Sequence, residues 1–200
     1  QALKNGSKIR GISSINKITL LSFEGSGMVG IPGFSKRLFG ALSDQKINVI
    51  FITQGSSEHS ICVGVDEIAA LKAKEAVDNT FAFEIAAKKV EPLIVENDLA
   101  IIALVGDNMK NHPGICGKMF AALGRNGVNV RAIAQGSSEK NISAVVAAKD
   151  VKKAINILHE DFFEKLDIGS SPMVIPCVNY AGDTDYFLCF LQAVFYSSGN

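Results

Sequence analysis

Apolar residues along this chain gather in short runs of two kinds, and the two kinds alternate. Ile18 to Phe23 and Leu99 to Val105 are dense in branched residues and stop at Gly25 and Gly106, the pattern of buried strands. After each comes a glycine-containing loop and then helical spacing, in which Phe34, Leu38, Phe39 and Leu42, or Ile115, Met119, Phe120 and Leu123, share one face. Asn48 to Thr53 and Ser60 to Val65 are separated only by a short polar stretch, as are Asn129 to Ala134 and Ile142 to Ala147. So short a connection predicts antiparallel hairpins, because a parallel crossover takes about a dozen residues or more. A second amphipathic helix follows each hairpin. It buries Ala70, Ala73, Val77 and Phe81 in the first case and Val151, Ala154, Leu158 and Phe162 in the second.

The two halves are copies. Gln54-Gly-Ser-Ser-Glu58 recurs as Gln135-Gly-Ser-Ser-Glu139, an offset of 81 residues. The same offset carries Pro32-Gly33 onto Pro113-Gly114, Phe39 onto Phe120, Asn48-Val49 onto Asn129-Val130 and Phe81 onto Phe162. Self-similarity at a fixed period sets the architecture before any single motif is weighed. An extended segment around Phe83 to Val95 closes the first copy, giving the order β-α-β-β-α-β. The predicted class is therefore α+β: two ferredoxin-like units, each an antiparallel sheet with its helices on one face. The second copy lacks a closing strand of its own, and the N-terminal run Lys8 to Ile15 is expected to take that place. The units are then 17–95, inserted, and 8–15 plus 96–164, with 165–200 as a tail.

Composition narrows the function classes. Of 200 residues 48% are apolar, enough for a real core, and 20 Lys plus Arg balance 20 Asp plus Glu. No net field draws the chain to nucleic acid or to an anionic membrane surface. An RNA-binding sheet of similar topology is further disfavoured by the lack of paired aromatics on the central strands. Cys62, Cys116, Cys177 and Cys189 lie far apart and away from the histidines, so neither a metal site nor a disulfide framework is suggested. Free thiols in a reducing cytoplasm are expected. No signal peptide is evident, and the most apolar stretch, Tyr186 to Tyr196, is too short to span a bilayer. A start at Gln1 rather than Met suggests a piece of something longer.

One motif invites a nucleotide-binding interpretation. Gly25-Ser-Gly27-Met-Val-Gly30 fits G-x-G-x-x-G between a strand and a helix. Three features count against it. Pro32 intervenes before the helix, the next strand turns straight back as a hairpin, and the second copy has Gly106-Asp-Asn-Met-Lys-Asn111 at the same place. No Walker lysine, Ser-His-Asp set or paired carboxylate stands out either, so no catalytic residue and no cofactor are assigned to this chain. Glu58 and Glu139 are expected to be solvated hairpin residues.

The polar residues kept by the duplication lie at two places that can form a ligand site. Pro32-Gly33 and Pro113-Gly114 precede helices whose first backbone N–H groups suit a carboxylate. Gln54 and Gln135, at strand ends, offer an amide that can both donate and accept beside it. A small zwitterionic amino acid suits this pairing better than a phosphate or a metal, although the same glutamines would also serve simply to pin the hairpin. Asn48 and Asn129 are read as turn residues.

The run Lys8-Ile-Arg-Gly-Ile-Ser-Ser-Ile15, the two Gln-Gly-Ser-Ser-Glu hairpins, Glu91-Pro92-Leu93 and Val105-Gly-Asp107-Asn-Met109 resemble the regulatory region of bifunctional aspartate kinase–homoserine dehydrogenases over about residues 8 to 164. The resemblance implies two ACT domains, the first inserted into the second, lying between a kinase and a dehydrogenase and binding L-threonine as a feedback inhibitor. It places ligand contacts at Gln54 and Gln135, with backbone contacts near Gly33, Asn111, Gly114, Asn141 and Ile142. A homo-oligomer is implied by the same analogy. The tail from Lys165 to Asn200 departs from the family, which there should enter the dehydrogenase's glycine-rich nucleotide loop. A lysine-sensing region of a monofunctional aspartate kinase and a ligand-free assembly module are the alternatives.

Overall fold

A computed structural model describes residues 9–29, 32–55, 59–106, 109, 112–136 and 140–164. In chain order the elements are β1 (Gly11–Glu24), α1 (Phe34–Asp44), β2 (Val49–Gln54), β3 (Ser60–Asp66), α2 (Ala70–Thr80), α3 (Ala82–Ala86), β4 (Ile94–Val105), α4 (Ile115–Arg125), β5 (Val130–Gln135), β6 (Asn141–Ala147) and α5 (Val151–His159). The strands form one sheet in the order β2-β3-β1-β4-β6-β5, and every pairing is antiparallel. This α+β arrangement of helices on an antiparallel sheet agrees with the class expected from the repeats.

What joins two four-stranded patterns into one six-stranded sheet is the length of β1 and β4. Ile18 to Glu24 pairs with β3, whereas Gly11 to Ile15 lies against Ile101 to Val105 of β4. Conversely, Leu99 to Val105 pairs with β6, while Ile94 to Glu96 lies against Leu20 to Ser22 of β1. Each long strand thus serves both repeats. Each also carries a break at the same repeat position. Lys17 and Asp98, 81 residues apart, both have φ 58, a left-handed conformation that interrupts the ladder and shifts its register.

The repeat also runs further than its sequence identities. Arg10 N–H donates to the Val105 carbonyl at 2.7 Å, and Glu91 N–H donates to the Glu24 carbonyl at 2.8 Å. Residues 10 and 91, like 24 and 105, are related by the offset, as are buried Ile9 and Val90. Within the segments only Asn16 and Asn97 are identical at this offset, so the correspondence lies in backbone pairing and burial more than in side-chain identity.

One local expectation is corrected. The stretch from Phe83 is not extended: Ala82–Ala86 is helical, and the closing strand begins only at Ile94. Ala-Phe-Glu-Ile-Ala lacks the period-two alternation of a strand and is bounded by helix formers. The short helix is held to α1 through Arg37, whose guanidinium pairs with Glu84, donates to the Thr80 carbonyl at 2.8 Å and lies 4.3 Å from the Phe81 ring centroid.

Three apolar clusters hold the molecule together. Beneath α1 and α2, Phe23, Leu38, Leu42, Val63, Val77 and Phe81 are packed, with the Phe23 and Phe81 rings 4.4 Å apart. Beneath α4 and α5 the corresponding set includes Ile102, Leu104, Met119, Leu123, Leu158 and Phe162. The helical faces read from the sequence are the buried ones, apart from Phe39, Ile115 and Phe120, which are half-buried at the margins.

The third cluster, Ile18, Leu20, Phe51, Leu99, Ile101 and Val145, lies on the helix-free face. It exists because the sheet rolls until its edge strands β2 and β5 approach within 8 Å between Cα atoms. Gly64 gives the roll room, since a Cβ there would meet Phe51 Cβ at 2.9 Å. Across the roll Arg131 Nε pairs with Glu96 Oε1 at 3.1 Å, and between the neighbouring strands β1 and β4 fully buried Thr19 donates to Asn97 Oδ1 at 2.9 Å.

Candidate functional site

Each repeat has a glycine-capped helix start and a glutamine at a strand end. Gly33 and Gly114 are the N-caps of α1 and α4, both at φ 95, and neither helix has a side-chain cap. A Cβ at either glycine would meet nothing within 4 Å, so glycine is required there for its left-handed backbone and not for space. The first helical bonds run from Arg37 N–H to the Gly33 carbonyl at 3.0 Å and from Lys118 N–H to the Gly114 carbonyl at 2.8 Å. The amides of residues 34–36 and 115–117 therefore have no partner within their helices. Such uncapped N–H groups, at the positive end of the helix dipole, suit a carboxylate.

Gln54 ends β2 opposite Ile61, and Gln135 ends β5 opposite Ile142. Both glutamines are exposed. Asn141 lies opposite Val105, the last residue of β4 before the loop that leads to Gly114. Ile142 is buried, its side chain belonging to the core under α4, so only its backbone is left to meet a ligand. Asn111, Glu58 and Glu139 lie outside the described residues. Asn48 and Asn129 are exposed just ahead of β2 and β5.

A contact the sequence reading missed ties strand end to helix start in the second repeat. The Cys116 thiol, on the second residue of α4, donates to Gln135 Oε1 at 3.1 Å. The offset of 81 places Ser35 at the same point of α1, and comparing the two first helical turns position by position would have flagged the substitution.

The glycine motif has a structural explanation. A Cβ on Gly25 would lie 2.5 Å from Lys89 O and Val90 Cα, and one on Gly27 would lie 2.6 Å from Lys89 Cβ. Gly27 N–H also donates to Lys89 O at 2.9 Å. These glycines admit the Lys89–Val90 segment, and Gly30 lies outside the described residues. Among the described residues no group of three or more His, Cys, Asp or Glu is placed to hold a metal ion. Nor is any helix there long and apolar enough to cross a membrane.

Electrostatic perturbation is concentrated away from these glutamines. Glu84 is held below the usual carboxylate range, chiefly by its hydrogen bond to Arg37. The Cys62 thiol is pushed up, chiefly by burial, while it accepts from Ser22 Oγ at 3.6 Å.

Two βαββαβ repeats sharing one antiparallel sheet define a tandem ferredoxin-like fold, and the ACT domain profile matches residues 21–81 and 102–162. These two matches cover more than half of the chain, which belongs to the ACT domain family. It is 37% identical over 161 residues to a chloroplastic bifunctional aspartokinase/homoserine dehydrogenase 2 of Arabidopsis thaliana, covering 80% of this chain and 18% of that protein. It is 40% identical over 156 residues to the bifunctional aspartokinase/homoserine dehydrogenase of Haemophilus influenzae, covering 78% of this chain and 19% of that protein. The chain thus spans about a fifth of the length of these relatives. The crystal structure of the regulatory subunit of aspartate kinase from Thermus flavus superposes with a TM-score of 0.66 at 26% identity, over 78% of this chain and 99% of that one.

Proposed function

We propose that this chain is the effector-sensing part of an aspartokinase joined to a homoserine dehydrogenase, and that it binds L-threonine to restrain those activities. The observation that carries the proposal is the recurrence, at an offset of 81, of a left-handed glycine cap and a strand-end glutamine, Gly33 with Gln54 and Gly114 with Gln135, joined in the second repeat by the Cys116–Gln135 hydrogen bond. The helix amides receive the amino acid's carboxylate, and the glutamine amide reads its amine or hydroxyl. Backbone near Asn141 and Ile142 completes the second site, with Asn111 assigned to it by resemblance.

The division into an inserted unit, 17–95, and a split one, 8–15 plus 96–164, is part of the proposal. It is supported by the pairing of Gly11 to Ile15 with Ile101 to Val105. Because both units share β1 and β4, a ligand that favours one packing of either unit bears on the other through Lys17 and Asp98. Coupling of this kind is worth about 1–3 kcal/mol. Kinase and dehydrogenase domains as covalent partners follow from the relatives' names, and a homo-oligomer from the resemblance alone.

Titration calorimetry with L-threonine, L-lysine and L-homoserine tests the proposal. Binding of threonine in preference to the others is expected. Preference for lysine would reassign the effector, and silence toward all three at millimolar concentration would leave an assembly module without ligand.

A further inference from the structure

The two candidate sites repeat at the offset of 81 except for one side chain beside the glutamine. Position two of α1 is Ser35 and position two of α4 is Cys116. Only the second repeat, among the described residues, has a hydrogen bond from that position to its glutamine, Cys116 Sγ to Gln135 Oε1 at 3.1 Å. A primary amide carries its acceptor on one side and its two donors on the other. With the carbonyl oxygen taken by the thiol, Gln135 turns N–H groups toward whatever else approaches it. The opposite orientation would set the amide nitrogen against a weak sulfur acceptor and leave the better acceptor, oxygen, without the thiol proton.

Resting on the effector role proposed above, we infer that Cys116 is a positioning residue that fixes Gln135 as a donor, making the two sites inequivalent. A fixed donor matches a ligand that presents an acceptor, so the second site selects an amino acid with a side-chain hydroxyl over its hydroxyl-free analogue. Gln54 has Ser35 rather than a thiol at the corresponding helix position, with no hydrogen bond between them, and can turn either face of its amide to a ligand, so the first site discriminates less. The second glutamine is already oriented before binding.

The experiment uses this chain with Gln54→Ala, so that only the second site reports, and titrates L-threonine and L-2-aminobutyrate by calorimetry. Adding Cys116→Ala should weaken threonine binding about two- to fivefold, the range set by one modest neutral hydrogen bond. It should also narrow the preference for threonine over 2-aminobutyrate. Cys116→Ser, which keeps a donor, should restore both affinity and preference. Equal losses for both amino acids with the ratio unchanged, or for Ala and Ser alike, would mark Cys116 as merely structural and overturn the inference. Threonine binding indifferent to residue 116, or lost in Gln54→Ala while the unsubstituted chain still binds, overturns it alone, whereas no threonine binding by the unsubstituted chain overturns the effector role and this inference together.

Discussion

Gly25→Ala puts the structural explanation of the glycine motif at risk. The new Cβ would lie 2.5 Å from Lys89 O and Val90 Cα and 2.9 Å from Val90 Cγ1. Two of those atoms are backbone and cannot rotate away. The segment is also anchored, because Val90 is 2% exposed in the core and Glu91 N–H is bonded to the Glu24 carbonyl at 2.8 Å. Relieving the clash means moving residues 89–91, which stretches that bond and the one from Gly27 N–H to Lys89 O. Overpacking costs about 1–3 kcal/mol and each weakened hydrogen bond about 0.5–1.5 kcal/mol, so a loss of roughly 2–6 kcal/mol is expected. With a mid-range urea slope of about 2 kcal/mol/M, the unfolding midpoint should fall by roughly 1–3 M. Circular dichroism through a urea series measures it. A variant within about 0.5 kcal/mol of the parent would show that the Lys89–Val90 crossing does not require glycine, and the nucleotide-loop explanation would have to be reopened.

Other expectations follow from the same coordinates. Gly40→Ala, inside α1 with nothing within 4 Å of the new Cβ, should raise stability by about 0.5–1 kcal/mol, and a loss in the same urea series would contradict that. Glu84 has its folded pKa lowered by Arg37, so its contribution is present above the unfolded carboxylate value and lost as pH falls through the folded one. Being exposed to solvent screening, the pair should give a gap between the parent and Glu84→Gln of less than about 1 kcal/mol at pH 7 that closes in acid; a gap that widens in acid would be wrong. Cys62, its thiol pushed up by burial, should react with iodoacetamide at pH 8 more slowly than free cysteine until urea is added, as read by peptide mass spectrometry.

Much of this architecture was legible in the sequence because duplication repeats a pattern. The buried faces of all four long helices, the two antiparallel hairpins and the α+β class followed from apolar spacing and the offset of 81. The roll of the sheet was not legible. The apolar cluster of Ile18, Leu20, Phe51 and Val145 is made by sheet faces meeting across the molecule, and alternation in a strand says that a face is buried without saying against what. The helix at Ala82–Ala86 was missed because five residues are too few to show a period, and its anchor to Arg37 is a tertiary contact. At the candidate sites the repeated glutamines and glycines stood out as identities. The Cys116 contact did not, since it is a difference between copies and emerges only when strand end and helix start are seen together.

The most direct test of the central claim is the number of L-threonine molecules bound per chain, measured by calorimetry for the parent, Gln54→Ala, Gln135→Ala and the double variant. Two per chain are expected for the parent, one for each single variant and none for the double. Binding whose stoichiometry and affinity are the same in all four proteins would contradict the assignment of the repeated glutamines as the effector contacts.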